Sequence, residues 1–236
     1  RLTYKECFEK YGCDKPDLRV GMELVDVTEV ARKSDFNVFK SAEQVKCVIA
    51  EKDLSRNEID DLIEWAKENG AKGLAWMKVT AAGLESSIVK FFSKDVQKLL
   101  LQVTKAKNGT VLFFVADKPK VVAEVLGKLR VELAHRIKLI KSGDFKFCWV
   151  TDFPMFEWND DEKHWQPSHH PFTMPKAEHI ALLEKEPGKV DAQLYDLVLN
   201  GVELGSGSIR INNPELQERV LKVIGISKEE AERKFG

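Results

Sequence analysis

The chain has 236 residues, of which 43% are hydrophobic and 32% are charged, and its formal net charge is −1 at pH 7. This composition is that of a folded protein with a sizeable core, and it excludes a disordered chain and a polycation. The longest apolar runs, LLLQV and VLFFVA, are too short to span a bilayer, so we expect no membrane segment. Four scattered cysteines without a CxxC pair favour a reducing, cytoplasmic setting and structural thiols.

The part of the chain between about residue 31 and residue 140 is predicted to form an α+β unit of its own. Its strand signals are the segments QVKCVIAE, GLAWMKVT and VLFFVA, which alternate with helical patterns. The polar stretches ARKSDFN and KSGDF bound this unit at its two ends and are typical of loops. We therefore expect one domain at 31–140, flanked by residues 1–30 and 141–236.

Three helices are predicted within this unit. The first covers residues 55–69, where Ser55 and Glu58 match a capping box and apolar residues recur with helical spacing. The second begins at Ser93, and the third runs from about residue 118 to residue 134. The alternation of these helices with the strand signals is what makes the unit α+β.

The third helix and the residues that follow it are rich in basic side chains. These residues are Lys118, Lys120, Lys128, Arg130, Arg136, Lys138 and Lys141. Such a surface could face a nucleic acid backbone. A helix face in contact with solvent is the commoner explanation, and we expect these side chains in water.

Residues 144–236 differ from the preceding unit in being rich in aromatic side chains. The segment FKFCWVTDFPMFEW predicts a buried strand that breaks at Asp152, and we expect its aromatic side chains in the core. Two helices close the chain. One starts at Asn213, which precedes a proline, and the next follows a capping box of Ser227 and Glu230.

The stretch YDLVLNGVELGSGSIRIN, residues 195–212, predicts a hairpin with a two-residue turn at Asn200-Gly201. Three cross-strand pairs follow from that turn: Leu199 with Val202, Val198 with Glu203, and Asp196 with Gly205. Paired residues share a face of the sheet, and so do residues two apart in one strand. Asp196 and Glu203 are therefore expected on one face, with Gly205 and Gly207 leaving open space beside them.

Two carboxylates on one face repel each other unless a cation lies between them. Magnesium favours one or two carboxylates together with phosphate oxygens, so this face predicts a metal and anion site. Arg210 has the wrong parity for the face in a regular strand, and we predict a β-bulge in GSGS that corrects it. From the spacing alone, a solvated hairpin with its acids in water is an equally good interpretation.

Two further segments carry candidate residues. In PSHHPFTMP, the flanking prolines hold His169 and His170 in an extended backbone, so the two side chains point to opposite sides. One of them could hydrogen-bond a carboxylate ligand, and an ordinary surface loop is the alternative. In YGCDKPDLR, Asp14 and Lys15 lie in a charged turn, which is either solvated or a loop on the substrate side.

Taken in order, the stretches YGCDKPDLR, WVTDFPMFEW, HHPFTMP, YDLVLNGVELGSGSIRI and EEAERKFG resemble the bacterial-type aspartyl-tRNA synthetases, which are class II enzymes. The resemblance spans the whole chain. It implies an α+β fold, in which residues 1–30 and 141–236 form part of an antiparallel catalytic sheet. It further implies that residues 31–140 are an insertion, the GAD domain of that family.

The resemblance also implies a role for each matching position. Arg210 resembles the arginine that binds the side-chain carboxylate of L-aspartate, a bidentate task suited to guanidinium. Glu203 resembles the acid that meets ATP through Mg²⁺, and Asp196 its companion metal ligand. His169 resembles the histidine that lines the aspartate pocket, with His170 beside it. The residues expected in active-site loops are Gly205, Gly207, Ser208, Asp14 and Lys15.

The implied reaction is attack of the aspartate α-carboxylate on the α-phosphate of ATP. Aspartyl-adenylate and pyrophosphate result, and the aspartyl group then passes to tRNA(Asp). Whether tRNA(Asn) is also a partner stays open. Such chemistry depends on positioning and charge neutralisation, so no side chain is expected to act as acid, base or nucleophile. For the full-length enzyme the resemblance implies a cytoplasmic homodimer.

The family's anticodon-binding barrel and its first two class II motifs would precede Arg1, and its third motif would follow Gly236. We therefore expect an internal fragment that does not activate aspartate alone. Two other functions are compatible with parts of the sequence. One is a non-catalytic GAD-type module that binds tRNA or protein, and the other is an amino-acid-activating paralogue that acts without tRNA.

Overall fold

Residues 1–235 are described by a computed structural model, so Gly236, the end of EEAERKFG, lies outside the description. The helices are α1 (Tyr4–Tyr11), α2 (Thr28–Ala31), α3 (Asn37–Ser41), α4 (Arg56–Glu68), α5 (Lys94–Thr104), α6 (Pro119–Arg136), α7 (Pro214–Val223) and α8 (Lys228–Phe235). The strands are β1 (Leu2–Thr3), β2 (Val25–Asp26), β3 (Gln44–Ala50), β4 (Ala75–Thr80), β5 (Gly83–Glu85), β6 (Val111–Asp117), β7 (Phe147–Thr151), β8 (Phe156–Asn159), β9 (His164–Pro167), β10 (Leu194–Leu199) and β11 (Val202–Ser208). The predicted α+β class is confirmed.

The chain divides into two compact units, and each is described here by itself. One consists of Arg1–Lys5 with the residues from Phe147 onward, and we call it the split unit. The other is the continuous segment Glu6–Lys146, which we call the central unit. The domain boundaries predicted after residues 30 and 140 stay a prediction. They refer to an inserted domain, whereas the compact units are defined by contacts within each unit, and the two divisions need not coincide.

The central unit contains a five-stranded antiparallel sheet in the order β2-β3-β6-β4-β5. Helices cover both of its faces, and β6 is buried at its centre. Phe113 packs with α4 and α6 on one face, while Phe114 packs with α2, α3 and α5 on the other. This division follows from the alternation of side chains along a strand.

The helices predicted in the central unit are confirmed. The α4 helix has the full capping box, because Ser55 Oγ accepts from the Glu58 backbone and the Glu58 carboxylate accepts from the Ser55 backbone. Ser93 caps α5 in the predicted position. The expectation of a solvated basic face on α6 is wrong for Arg130, which is fully buried. Its neighbours Leu129 and Leu133 belong to the core, so Arg130 lies on the packed side of the helix.

The split unit is built on a four-stranded sheet in the order β1-β7-β10-β11. The pair β1-β7 is parallel, and the other two pairs are antiparallel. Along β7 the side chains alternate, so Cys148 and Val150 are buried while Phe147 and Trp149 are exposed. A second, two-stranded antiparallel sheet pairs β8 with β9.

The prediction that the aromatic residues of FKFCWVTDFPMFEW belong to the core is wrong for several of them. Phe145, Phe147, Trp149 and Trp158 are exposed, whereas Phe153 and Phe156 are buried. The reason is that a half-covered strand buries every second side chain. The helices predicted after Asn213 and Ser227 are confirmed, and Asn213 and Ser227 accept hydrogen bonds at their starts. In the described part of the chain, no helix has both the length and the apolarity to cross a membrane.

Candidate functional site

The hairpin of β10 and β11 turns at Asn200-Gly201, as predicted. Both turn residues have positive φ angles, 54° and 86°, which is the conformation that an Asn-Gly turn provides without strain. Leu199 pairs with Val202 and Val198 with Glu203, so these two predicted pairs are confirmed. The turn therefore sets the register of the strands up to Glu203.

Beyond Glu203 the register shifts by one residue. Leu197 pairs with Gly205 rather than with Leu204, which makes Leu204 the extra residue of a β-bulge. The bulge was predicted within GSGS and lies one residue before it. The predicted pairing of Asp196 with Gly205 is consequently wrong, because the shift places Ser206 opposite Asp196.

The bulge decides which side chains share a face with the two carboxylates. Val198 pairs with Glu203 and Asp196 with Ser206, so Asp196, Glu203 and Ser206 lie on one face of the sheet. Ser208 follows Ser206 at a step of two and lies on the same face, and its Oγ is 3.5 Å from the His170 ring that Arg210 also contacts. Arg210 lies beyond the end of β11, so the correction of its parity stays a prediction.

The expected role of the two glycines is wrong. The bulge puts Gly205 and Gly207 opposite Leu197 and Tyr195, on the face that does not carry the carboxylates. A Cβ atom at Gly207 would lie 2.3 Å from Tyr195 Oη. Gly207 therefore makes room for the Tyr195 ring and leaves no open space beside Asp196 or Glu203.

The two carboxylates differ in their exposure. The Asp196 residue is 1% exposed and Glu203 is exposed. Among residues 1–235 no group of three or more His, Cys, Asp or Glu side chains could hold a metal ion. One or two carboxylates completed by phosphate oxygens and water is, however, the donor set that Mg²⁺ prefers. The residues present fit that ion and do not form a closed protein cage for it.

Arg210 and His170 form a polar cluster that Ser208, at the end of β11, also contacts. Arg210 Nη1 lies 2.9 Å from His170 Nδ1 and also contacts Nε2. Ser208 Oγ lies 3.5 Å from His170 Nε2, and Thr173 Oγ1 lies 3.2 Å from Nδ1. One imidazole ring thus links the end of β11 with the HHPFT segment.

Backbone pairing brings the HHPFT segment to Arg210. Thr173 and Arg210 form an isolated antiparallel bridge. The Met174 N–H donates to Ile209 O, and the Ile211 N–H donates to Phe172 O. The extended backbone predicted for His169 and His170 is wrong, because Ser168 and His169 lie in a bend and Pro171 and Phe172 lie in a turn. The bridge to Arg210 forms at Thr173, directly after that turn.

The electrostatics of the cluster favour a neutral His170. Its partial burial and the neighbouring Arg210 charge lower the pKa of the His170 imidazole below its ordinary value. A neutral imidazole can accept a hydrogen bond from the Arg210 guanidinium, which is only a donor. His169 instead packs its ring edge-on against Phe153, with 5.2 Å between ring centroids.

Asp14 and Lys15 lie in the central unit, in the loop after α1. Their side chains form an ion pair of 3.6 Å and are partly exposed. Two residues on, Asp17 is buried and accepts from both the backbone and the guanidinium of Arg19. Burial raises the pKa of the Asp17 carboxyl, but the Arg19 hydrogen bonds outweigh burial and the net shift is downward.

Sequence reasoning missed two residues, one in the His170 cluster and one on the face of the two carboxylates. Thr173 is buried and touches His170, and Ser206 is the residue opposite Asp196. The prolines were used to predict the backbone of His169 and His170, and nothing in the sequence indicated the pairing of Thr173 with Arg210. Ser206 could have been found by placing the extra residue at Leu204 or Gly205, since either choice puts Ser206 opposite Asp196.

The antiparallel sheets with their helices define an α+β protein with a polar cluster on one sheet face. The chain belongs to the class II tRNA synthetases: residues 1–236 match the family described as tRNA synthetases class II (D, K and N). This match extends over both the split unit and the central unit.

Individual relatives are also similar over the whole chain. It is 49% identical over 245 residues to an aspartate–tRNA(Asp/Asn) ligase of Caldanaerobacter subterraneus subsp. tengcongensis, and 50% identical over 242 residues to one of Rubrobacter xylanophilus. A third such ligase, of Brachyspira hyodysenteriae, is 48% identical over 242 residues. Each alignment covers 100% of this chain and 40% or 41% of the relative. The chain therefore spans about two-fifths of the length of these relatives.

Proposed function

We propose that these residues form part of an aspartate–tRNA ligase, which joins L-aspartate to tRNA at the expense of ATP. The observation that carries the proposal is the β-bulge at Leu204. It gives Asp196, Glu203 and Ser206 one face of the hairpin, and Ser208 at the end of β11 shares the His170 ring with Arg210. A cation site beside a fixed guanidinium suits a reaction between an amino-acid carboxylate and a nucleotide phosphate.

In this proposal Arg210 binds the side-chain carboxylate of aspartate. A guanidinium offers five N–H donors in a planar fork, so contact with His170 leaves donors for a bidentate carboxylate. The neutral His170 and the bridge to Thr173 hold the fork in place. The proposed substrate site also includes His169, Ser208 and the loop residues Asp14 and Lys15.

Asp196 and Glu203 would hold Mg²⁺ together with ATP. The ion would supply positive charge that offsets the charge of the phosphate oxygens. The two carboxylates would orient the ion. The buried Asp196 is fixed in the sheet, and the exposed Glu203 can reach solvent and ligand. The aspartate α-carboxylate would attack the α-phosphate, giving aspartyl-adenylate and pyrophosphate, and the aspartyl group would then pass to tRNA(Asp).

Several properties of the whole protein belong to the same proposal. They are a cytoplasmic location, a homodimer, and a GAD-type insertion at 31–140 between two parts of the catalytic domain. The names of these relatives include both tRNA(Asp) and tRNA(Asn), and we therefore also propose charging of tRNA(Asn). A non-catalytic module and a tRNA-independent paralogue are less favoured, because the similarity to ligases extends over the whole chain.

The proposal is tested with Arg210→Lys in the full-length enzyme. A single ammonium cannot make the paired contacts of guanidinium. We expect the KM for aspartate in ATP–pyrophosphate exchange to rise by about 10-fold or more, the equivalent of about 1.4 kcal/mol. The matched control is Arg219→Lys, since Arg219 pairs with Glu184 on the surface of the same unit. An unchanged KM for aspartate in Arg210→Lys would reject the assignment.

The fragment itself gives a second test. Because the chain spans about two-fifths of its relatives, we propose that the 236 residues alone do not activate aspartate. The measurement is ATP–pyrophosphate exchange by the purified fragment beside the full-length enzyme at equal concentration. Exchange by the fragment would overturn this part of the proposal and leave the Arg210 assignment standing.

A further inference from the structure

Thr173 has a buried hydroxyl in the split unit, next to the ring of His170. The residue is 2% exposed, and its Oγ1 lies 3.2 Å from Nδ1 and 3.4 Å from Nε2 of His170. Among residues 1–235, this hydroxyl has no hydrogen-bond partner other than the His170 ring. A hydroxyl removed from water is costly unless it is hydrogen-bonded, so the compensation for its burial comes from the imidazole.

The backbone places the same hydroxyl residue beside Arg210. Thr173 and Arg210 lie opposite each other in an isolated antiparallel bridge. The hydrogen bonds of that bridge belong to the residues on either side of the two, so Thr173 and Arg210 form a non-hydrogen-bonded pair. In such a pair the side chains are closest to each other and share a face. The His170 ring contacts both of them, so the three residues form one chain of contacts.

The groups around the His170 ring differ in whether they can accept a proton in a hydrogen bond. The Phe172 N–H lies 3.2 Å from Nδ1, and the Arg210 guanidinium contacts both ring nitrogens; each of these groups only donates. A neutral imidazole has one acceptor nitrogen and one N–H, and that N–H needs an acceptor. The Thr173 hydroxyl contacts both nitrogens and can accept, whereas Ser208 Oγ lies only near Nε2, at 3.5 Å. Thr173 can therefore accept from the ring N–H on either nitrogen, which leaves the other nitrogen to accept from Arg210.

The turn between His170 and Thr173 is held by a different residue. Gln217 in α7 donates from Nε2 to Pro171 O at 2.9 Å, and Pro171 lies in that turn. The bridge to Arg210 uses only backbone atoms. Loss of the Thr173 hydroxyl would therefore leave the turn and the bridge in place and release the His170 ring alone.

We propose that Thr173 is a positioning residue for aspartate binding, whose hydroxyl fixes the His170 ring so that this ring holds the Arg210 guanidinium. This inference rests on the proposed function, in which Arg210 binds the side-chain carboxylate of aspartate. Thr173 acts through His170, and all three residues belong to the split unit. A guanidinium that is free to move makes weaker paired contacts with a carboxylate, so the effect of losing the hydroxyl falls on aspartate.

The test is Thr173→Val in the full-length enzyme, because valine keeps the branched shape of threonine and removes the hydroxyl. We expect the KM for aspartate in ATP–pyrophosphate exchange to rise by about 3- to 10-fold, the scale of one lost hydrogen bond. The KM for ATP should change by less than about twofold, since ATP is proposed to bind elsewhere on the sheet. Thr173→Ser keeps the hydroxyl and should restore most of the aspartate affinity. An unchanged KM for aspartate in Thr173→Val, or an equal rise in Thr173→Ser, would overturn the inference.

Thr104→Val is the matched control. It makes the same chemical change at a buried threonine of the central unit, whose Oγ1 donates to Leu100 O at 2.8 Å. The KM for aspartate should stay unchanged in this variant. A rise as large as that of Thr173→Val would trace both effects to a general loss of stability and overturn the inference.

A double-mutant cycle tests whether Thr173 acts through His170. In a His170→Ala background, Thr173→Val should change the KM for aspartate by less than about twofold, because the ring that the hydroxyl positions is gone. Effects of the two changes that multiply would contradict the inference. If Thr173→Val does not fold, Thr173→Ala takes its place, since it removes the hydroxyl without placing a methyl group against the ring.

Arg210→Lys separates this inference from the proposed function. An unchanged KM for aspartate in Arg210→Lys would reject the proposed function itself. A raised KM in Arg210→Lys together with an unchanged KM in Thr173→Val would overturn only the role of Thr173.

Discussion

The sheets of the two units differ in how they are covered. In the central unit, helices lie on both faces, so Phe113 and Phe114 are both buried although they point in opposite directions. In the split unit, one face is buried and the other exposes Phe147, Trp149 and Tyr195. Truncation of an aromatic side chain is therefore expected to cost more stability in the central sheet than on the open face of the split unit.

This difference indicates which sheet is complete by itself. A sheet with two covered faces buries its apolar side chains within its own segment. A row of aromatic side chains on an open face is unusual for an isolated folded unit and is typical of a surface that contacts more protein. Since relatives are more than twice as long as this chain, the comparison fits a split unit that is part of a larger structure.

The largest expected effect comes from equal truncations in the two sheets. Phe113→Ala should lower the free energy of unfolding by about 3–5 kcal/mol, because it leaves a cavity in a closed core. Phe147→Ala, at a side chain that is 59% exposed, should cost under about 1 kcal/mol. Urea unfolding of the 236-residue chain measures both. Similar losses for the two variants would show that the open face is covered in solution.

The elements of the fold were largely predictable, but the coverage of the sheets was not. Capping residues and apolar spacing located α4 and α5, because these signals act within one turn of helix. The segment of β7 was misread because alternating aromatic and apolar residues do not reveal which face is covered. Arg130 was misread for the same reason, since charge alone predicts solvent and the partners of Arg130 are more than 100 residues distant.

Two features of the candidate site were predictable from the sequence, namely the hairpin turn and the presence of a bulge. Asn200-Gly201 fixes the register locally, and the parity of Arg210 required one extra residue. Its place at Leu204 was not predictable, because glycine permits a bulge without specifying which residue is extra. The contact of His170 with Arg210 depends on the bridge at Thr173, and pairing between distant segments leaves no local signal.

A smaller effect is expected on the open face itself. Gly207→Ala would place a Cβ atom against Tyr195 Oη, and the ring must move away, at a cost of about 1–2 kcal/mol. Gly205→Ala is the matched control on the same strand face, where no atom lies within 4 Å of the added Cβ. It should be neutral or slightly stabilising. Thermal unfolding distinguishes the two, and equal melting temperatures would contradict the packing of Tyr195 over Gly207.

Helix capping gives the next comparison between the units. Ser55→Ala should lower the free energy of unfolding by about 1 kcal/mol, because Ser55 caps α4 and α4 packs on the closed core. Ser227→Ala removes the cap of α8, where Ser227 Oγ accepts from the Glu230 N–H at 3.2 Å. We expect it to fray that helix with less effect on the main unfolding transition. A larger shift of the transition midpoint for Ser227→Ala would contradict this order.

The smallest expected effect is a difference between the N-terminal segments of α4 and α8 in how their stability depends on pH and salt. The Ser55 hydroxyl and backbone N–H donate to Glu58 and lower the pKa of its carboxyl, whereas an ion pair with Lys234 lowers the pKa of Glu230. Both contributions are present above the ordinary carboxyl pKa and are lost as the pH falls through the lowered folded value. Salt screens an exposed ion pair more than a hydrogen bond within a cap. Amide exchange from pH 2 to pH 7 should therefore show a salt-dependent acid transition in α8 and a salt-independent one in α4, which Glu58→Gln abolishes.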